Sequence, residues 1–245
     1  MRLMLRLAAM VAGLLFCLPF HYLWKAAGRR SPWPRWFLRW VGRSAGMRVT
    51  VHGDPLPSHV LFVSNHSSWL DIMLIAGETG AAFVSKGDVA RWPVIGWLAG
   101  LNNTIYVERA QRGAVRNQVD ALRTALVTGQ PVALFPEGTT EGGQDVLPFR
   151  ASLLSSLVPP LPGVKLQPIA IDYGPAGREI AWVGDEPAGA NAKRILSRRG
   201  TIEVAMTFLD PIDPEMAPDR KALAQMSRTA IVEALGASAA PTDRL

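Results

Sequence analysis

Cysteine is almost absent from this chain. Among 245 residues there is one, Cys17, which excludes an internal disulfide and any cysteine-built zinc cage. Histidine is nearly as scarce: His21, His52, His59 and His66 lie at scattered positions without metal-ligand spacing. The one G-x-S-x-G match, GRSAG at 42–46, falls at the end of a stretch with a helical pattern and not at a strand-to-helix turn, so that form of activated hydroxyl is missing. Internal repeats at solenoid periods and long low-complexity runs are lacking too. Acidic residues are fewer than basic ones, 20 against 26, for a net charge of +6. That balance points to anionic partners: nucleic acid, a membrane surface, or phosphorylated substrates and carriers. What is present is a chain of one-domain length, 49% hydrophobic, with enough apolar material for a core.

Residues 7–24 read LAAMVAGLLFCLPFHYLW and carry no formal charge. The run is near the lower limit for crossing a bilayer, and Pro19 and His21 weaken its second half. No small-x-small cleavage site follows, which argues against a removed signal peptide. A spanning or re-entrant anchor is expected. The next stretch, PWPRWFLRWVGRSAGM, opens on Pro32, a favourable helix start. On a helical wheel Trp33, Trp36, Phe37, Trp40 and Val41 form one stripe, flanked by Arg35, Arg39 and Arg43. Such a pattern suits an interfacial helix with indoles at headgroup depth and guanidinium groups on lipid phosphates. Residues 1–48 are thus expected to form a membrane anchor and interfacial helix, and residues 49–245 the main domain. If 7–24 spans, the excess of positive residues after it places the bulk of the chain in the cytoplasm.

From about Thr50 onward short β-rich runs alternate with helical stretches. Strands are expected at 59–64, 81–85, 104–108, 131–135, 166–172, 179–184 and 201–209, and helices at 68–75, 92–101, 113–128, 152–157, 191–199 and 218–235. In the third helix Val115, Val119, Leu122 and Leu126 share a face. This alternation predicts an α/β fold: a mixed, largely parallel central sheet flanked by helices, preceded by the N-terminal membrane-associated helical segment. Ligands of such sheets bind beyond the carboxyl ends of the strands. Three polar clusters follow three of the expected strands: Asn65/His66, Glu108/Arg109 and Glu137/Gly138/Thr139.

Within FVSNHSSWLD, residues 62–71, His66 and Asp71 are five positions apart. In a continuous α-helix that spacing turns them roughly 140° away from each other. A strand ending at Ser64, a turn, and a helix capped by Ser67 or Ser68 resolves the mismatch. His66 then lies in the turn and Asp71 in the first helical turn, where a carboxylate closes a capping-box-like arrangement. An ionised carboxylate beside an imidazole fixes its tautomer and supports the imidazolium that forms when the ring takes up a proton. The plainer alternative is a helix-start carboxylate beside a hydrogen-bonded turn histidine. With no serine elbow present, a proton taken by His66 would come from a substrate. FPEGTT, residues 135–140, adds a rigid turn with backbone N–H groups and a carboxylate.

These motifs resemble the signature blocks of the glycerolipid acyltransferases, in particular the bacterial 1-acyl-glycerol-3-phosphate acyltransferases. NHSSWLD matches the first block and FPEGT the third. TIYVER, 104–109, is similar to the second and QPIAI, 167–171, to the fourth, while SKGDVARWPVIGWL, 85–98, resembles the segment between blocks one and two. The likeness covers roughly residues 50–210. Three positions depart: Asn103 stands where a glycine is usual, PFRAS at 148–152 keeps a single basic residue, Arg150, and Gln167 replaces an aliphatic residue. They lie around the expected acceptor side and leave the acceptor open.

The resemblance implies an O-acyltransferase domain over 49–245 that moves an acyl group from acyl-CoA or acyl carrier protein to the hydroxyl of a lysophospholipid. The implied acceptor is 1-acyl-glycerol-3-phosphate, with lyso-ornithine lipid or glycerol-3-phosphate as alternatives. His66 would be the general base, oriented by Asp71. Arg109 would bind the acceptor's phosphate, and Glu137 and Gly138 would position the acceptor beside Asn65. Thr139 would hold the turn, and Arg150 and Lys86 would offer anionic contacts. No cofactor, metal or nucleic acid is implied. The implied setting is the cytoplasmic membrane, with the domain on its cytoplasmic face and a preference for anionic lipid surfaces.

Overall fold

The computed structural model describes residues 1–107, 112–140, 142 and 145–239. The chain opens with two helices, α1 (Arg2–Ala26) and α2 (Trp33–Ala45), then β1 (Met47–His52), β2 (Val60–Ser64) and α3 (Leu70–Thr79). There follow β3 (Ala82–Lys86), α4 (Gly87–Ala90), α5 (Ile95–Leu101), β4 (Ile105–Val107), α6 (Arg112–Val127) and β5 (Val132–Leu134). The last part holds β6 (Lys165–Asp172), α7 (Gly177–Ile180), α8 (Ala188–Ser197), β7 (Ile202–Phe208) and α9 (Arg220–Ala239). Residues Ala151–Leu157 form a 3-10 turn.

One seven-stranded sheet runs in the order β1-β7-β6-β2-β5-β3-β4. β2, β5, β3, β4 and β6 are mutually parallel, and β7 is antiparallel to β6. All five residues of β2 are buried, as its unbroken apolar run requires of a strand covered on both faces. On one face Phe62 packs with Leu70, Leu74 and Ile75 of α3 and with Ile195 of α8. On the other Leu61 and Val63 pack with Leu122 and Leu126 of α6 and Leu223 of α9. β2 has β5 on one side and β6 on the other, so connections leave it in both directions. Its carboxyl end is therefore a topological switch point.

One expected strand is missing here and one unexpected strand is present. Residues 179–184 do not form a strand. Both edges of β6 are occupied, by β2 and β7, and the segment's N–H groups go elsewhere: Ala181 donates to Gly177 and Trp182 to Ser67. It crosses over the His66 turn instead. Conversely, β1 was not foreseen; it is an edge strand with one buried residue out of six, so its polar alternation resembles loop.

α1 and α2 form an antiparallel hairpin. Gly13, Cys17 and His21 make the buried stripe of α1, Phe20 stacks on Trp33, and Trp40 Nε1 donates to Ala9 at 2.7 Å. The arginines do not all face lipid as expected. Arg35 donates to the Gly77 and Glu78 carbonyls and Arg39 pairs with the Glu78 carboxylate. Both meet the carboxyl-terminal end of α3, where cations are favoured. Trp36 and Trp40 stay 62% and 47% exposed. A Cβ at Gly13 would stand 2.4 Å from the Trp40 ring, which its own hydrogen bond holds in place. Gly13→Leu is expected to cost about 1–3 kcal/mol, read by thermal or denaturant unfolding in detergent. An unchanged midpoint would contradict this packing.

Candidate active site

Three adjacent parallel strands deliver the site. The turn after β2 carries Asn65 and His66, the turn after β5 carries Phe135–Thr139, and Tyr173 directly follows β6. Asn65 ties the first to the third. Its side-chain N–H donates to the Ile171 carbonyl at 2.8 Å and its oxygen accepts the Ile171 N–H at 2.9 Å. It thereby imitates one more strand residue at the point where β2 leaves the ladder. The rings of His66 and Phe135 stack face to face, 3.7 Å between centroids, and Phe83 stacks behind Phe135.

Asp71 is fully buried and is surrounded by donors. Its Oδ2 lies 2.9 Å from His66 Nδ1 and accepts the Ser67 and Ser68 N–H groups at 2.8 and 2.9 Å. Its Oδ1 accepts the Tyr173 hydroxyl at 2.5 Å. A carboxylate offers no proton to Nδ1, so Nδ1 carries the hydrogen and Nε2 is left with a free lone pair. Nε2 has no partner among the described residues. The helix opens at Leu70 with Trp69, not a serine, as its N-cap; Asp71 lies in the first turn as expected and reaches back past the cap to the Ser67 and Ser68 N–H groups. Tyr173 escaped sequence reasoning. It lies two residues beyond the fourth block, and only the end of a strand parallel to β2 brings it to Asp71.

Glu137 is turned inward, 3% exposed. One oxygen accepts the His66 N–H at 2.8 Å and the other the Leu147 N–H at 3.1 Å. Through these contacts Glu137 clamps the His66 turn to the segment before Arg150. Burial pushes its carboxyl up to about 7, against the pull of the two N–H donors. Gly138 has φ +73°, and a Cβ there would come within 3.1 Å of the Arg150 guanidinium. The exposed Arg150 therefore lies across the glycine at the mouth of the site, its own N–H bonded to the Pro136 carbonyl. Thr139 is exposed, and among the described residues its hydroxyl reaches only the next carbonyl.

Arg109 and the Lys86 side chain fall outside the described residues. The backbone of Lys86 closes β3, and Arg109 follows β4, the edge strand. Three strand spacings put the end of β4 about 14 Å from β2. Of the three departures noted, Asn103 has φ +55°, a conformation that asparagine tolerates where glycine would serve. Gln167 is not on the acceptor side. It is buried mid-strand and bonds Asp54, Leu56 and Leu209.

The raised Glu137 carboxyl predicts a pH signature. An unfolded glutamate ionises near 4.3, so between there and about 7 the folded chain holds the extra proton. Folding stability then declines as pH rises through that window. Glu137→Gln is expected to flatten the decline and to weaken the fold by about 1–3 kcal/mol, because its single oxygen cannot serve both N–H groups. Denaturant titrations between pH 4.5 and 7.5 check this; an unaltered slope in the variant would contradict it.

Comparison with known proteins agrees with this geometry. The model of the acyltransferase family matches residues 48–172. A lyso-ornithine lipid O-acyltransferase from Brucella abortus is 37% identical over 91% of this chain and 90% of its own length. One from Pseudomonas aeruginosa is 34% identical over 85% and 80%. A 1-acyl-sn-glycerol-3-phosphate acyltransferase from Neisseria gonorrhoeae is 34% identical over 49% of this chain. Among solved structures, the 1-acyl-sn-glycerophosphate acyltransferase PlsC of Thermotoga maritima shares the fold, with a TM-score of 0.65 at 21% identity and complete coverage of both chains. A strand-end histidine held by a helix-start carboxylate, together with these matches, shows that the chain belongs to the acyltransferase family.

Proposed function

We propose that this protein acylates the free hydroxyl of lyso-ornithine lipid, using a thioester of coenzyme A or acyl carrier protein as donor. The chemistry is carried by one observation: Asp71 binds Nδ1 of His66 and leaves Nε2 available. Nε2 takes the proton of the acceptor hydroxyl as its oxygen bonds to the thioester carbonyl carbon. The tetrahedral adduct collapses, the carbon–sulfur bond breaks, and the departing thiolate receives the proton from the imidazolium. Asp71 stabilises that imidazolium without taking its proton. No enzyme-bound acyl group forms.

The acceptor reading rests on relatives. Four lyso-ornithine lipid O-acyltransferases are 34–37% identical over 78–91% of the chain. An ornithine headgroup offers a carboxylate and a cationic amine instead of phosphate, and the Arg150 guanidinium suits a carboxylate as well as a phosphate. The second reading, 1-acyl-glycerol-3-phosphate, is favoured by the Neisseria relatives, which align with half of the chain.

The N-terminal hairpin supplies the lipid phase. α1 is long and apolar enough to span, and only 11% of its apolar window is buried. Its position favours lying within one leaflet. Near its start Arg6 donates to the Ile195, Leu196 and Gly200 carbonyls, and just past its end Arg30 donates to Thr128 at 3.3 Å. A 25-residue helix is about 37 Å long. With both ends resting on one folded domain, it runs along that domain rather than away through a bilayer about 30 Å thick. Phe16, Leu15, Trp36 and Trp40 then face acyl chains. The domain sits on the cytoplasmic face of the cytoplasmic membrane, where thioesters are found, and the excess basic charge favours anionic lipid.

Purified protein assayed with acyl-CoA and acyl carrier protein against lyso-ornithine lipid, 1-acyl-glycerol-3-phosphate and glycerol-3-phosphate is expected to prefer the first by about tenfold in kcat/KM. The reverse order would favour the second reading, and inactivity on all three would sink the assignment. His66→Ala is expected to lose a factor of about 100 to 10,000 in turnover; wild-type turnover would remove the base. In a Cys17→Ala background, cysteines at positions 2 and 25 should both react with an impermeant maleimide from the cytoplasmic side. Labelling of the two ends from opposite sides would mean that α1 spans.

A further inference from the structure

Tyr173 belongs to none of the sequence blocks and has no part in the proton transfers above. It is nevertheless 4% exposed and gives its only hydroxyl hydrogen to Asp71 Oδ1. The three other donors to this carboxylate, the Ser67 and Ser68 N–H groups and the His66 ring, all meet Oδ2. Among the described residues Tyr173 is thus the sole partner of Oδ1. Two consequences follow. Anchored at both oxygens, the carboxylate cannot rotate about its Cβ–Cγ bond, so Oδ2 stays in front of the imidazole. A hydroxyl donor on Oδ1 also draws charge away from Oδ2, which moderates the pull of Asp71 on the imidazolium.

The ionisable groups around this pair come from three elements. His66 lies in the turn after β2, Glu137 in the turn after β5, near enough to Asp71 for the two charges to interact, and Tyr173 directly follows β6. Burial, and then the Asp71 charge, push the Tyr173 hydroxyl well above its ordinary value, so it remains a donor throughout the working pH range.

We propose that Tyr173 is a positioning residue for His66: acting through Asp71, it fixes the carboxylate's orientation and limits how strongly that carboxylate holds a proton on the ring. The inference rests on the reading of His66 as general base.

The test is the pH dependence of kcat/KM for the full-length enzyme with acyl thioester and lyso-ornithine lipid. Tyr173→Phe frees Oδ1 and concentrates charge on Asp71. We expect kcat/KM to fall about tenfold or more and the midpoint of the acid limb to rise by about half a pH unit. Site-specific 3-fluorotyrosine at position 173 keeps the shape and strengthens the donor, and should move the midpoint downward. Opposite shifts support the proposal. A midpoint unmoved by both replacements overturns it even if turnover falls, because a purely structural residue would lower activity without moving the limb. If Tyr173→Phe does not fold, the fluorotyrosine shift alone decides. A wild-type profile with no acid limb would instead remove the base reading itself.

Discussion

The site depends on one buried carboxylate. Asp71 accepts hydrogen bonds from two backbone N–H groups, an imidazole and a phenol. A bare carboxylate in that position would be costly to bury; with four donors it is a fixed anion. The two N–H groups belong to the turn that leads into α3, so closing that turn and building the site are the same event. The same anion dictates which nitrogen of His66 holds its proton, and hence which is free to take one.

The sheet brings this arrangement together. β6, β2 and β5 lie side by side and parallel, so their following turns meet. Asn65 joins the β2 turn to β6, and Glu137 joins it to the segment leading to Arg150. His66 is therefore held by its backbone, its ring face and its Nδ1, and among the described residues only Nε2 is uncommitted. The hairpin of α1 and α2 packs on α3, the helix that carries Asp71. The exposed apolar hairpin and the His66–Asp71 pair are thus mounted on neighbouring elements.

Much of this was legible in ten residues. The five-residue spacing of His66 and Asp71 makes sense only across a strand, turn and helix, and that is how FVSNHSSWLD folds. The strand-end rule also brought the turns at 65–66 and 137–139 to one end of the sheet. Long-range partners were not legible. Tyr173 is 102 residues from Asp71, and nothing local marks it. Glu137 reads as a ligand group in a rigid turn, and each of its oxygens also accepts a backbone N–H, from 71 and 10 residues away. Residues 179–184 alternate like a strand, but strand pairing needs a free edge and β6 had none. Arg35 and Arg39 carry the signature of an interfacial helix and instead cap α3, because the carbonyls of a helix end attract a guanidinium as lipid phosphates do.

Asp71 holds His66 as the Nδ1–H tautomer, which leaves Nε2 without its proton. Nitrogen-15 NMR of ring-labelled histidine, with His66 assigned by its loss in His66→Ala, reads this directly in the folded enzyme. The expected spectrum shows a protonated Nδ1 and a bare Nε2 for the neutral His66 ring. A neutral His66 that carries its proton on Nε2 and leaves Nδ1 bare would contradict it.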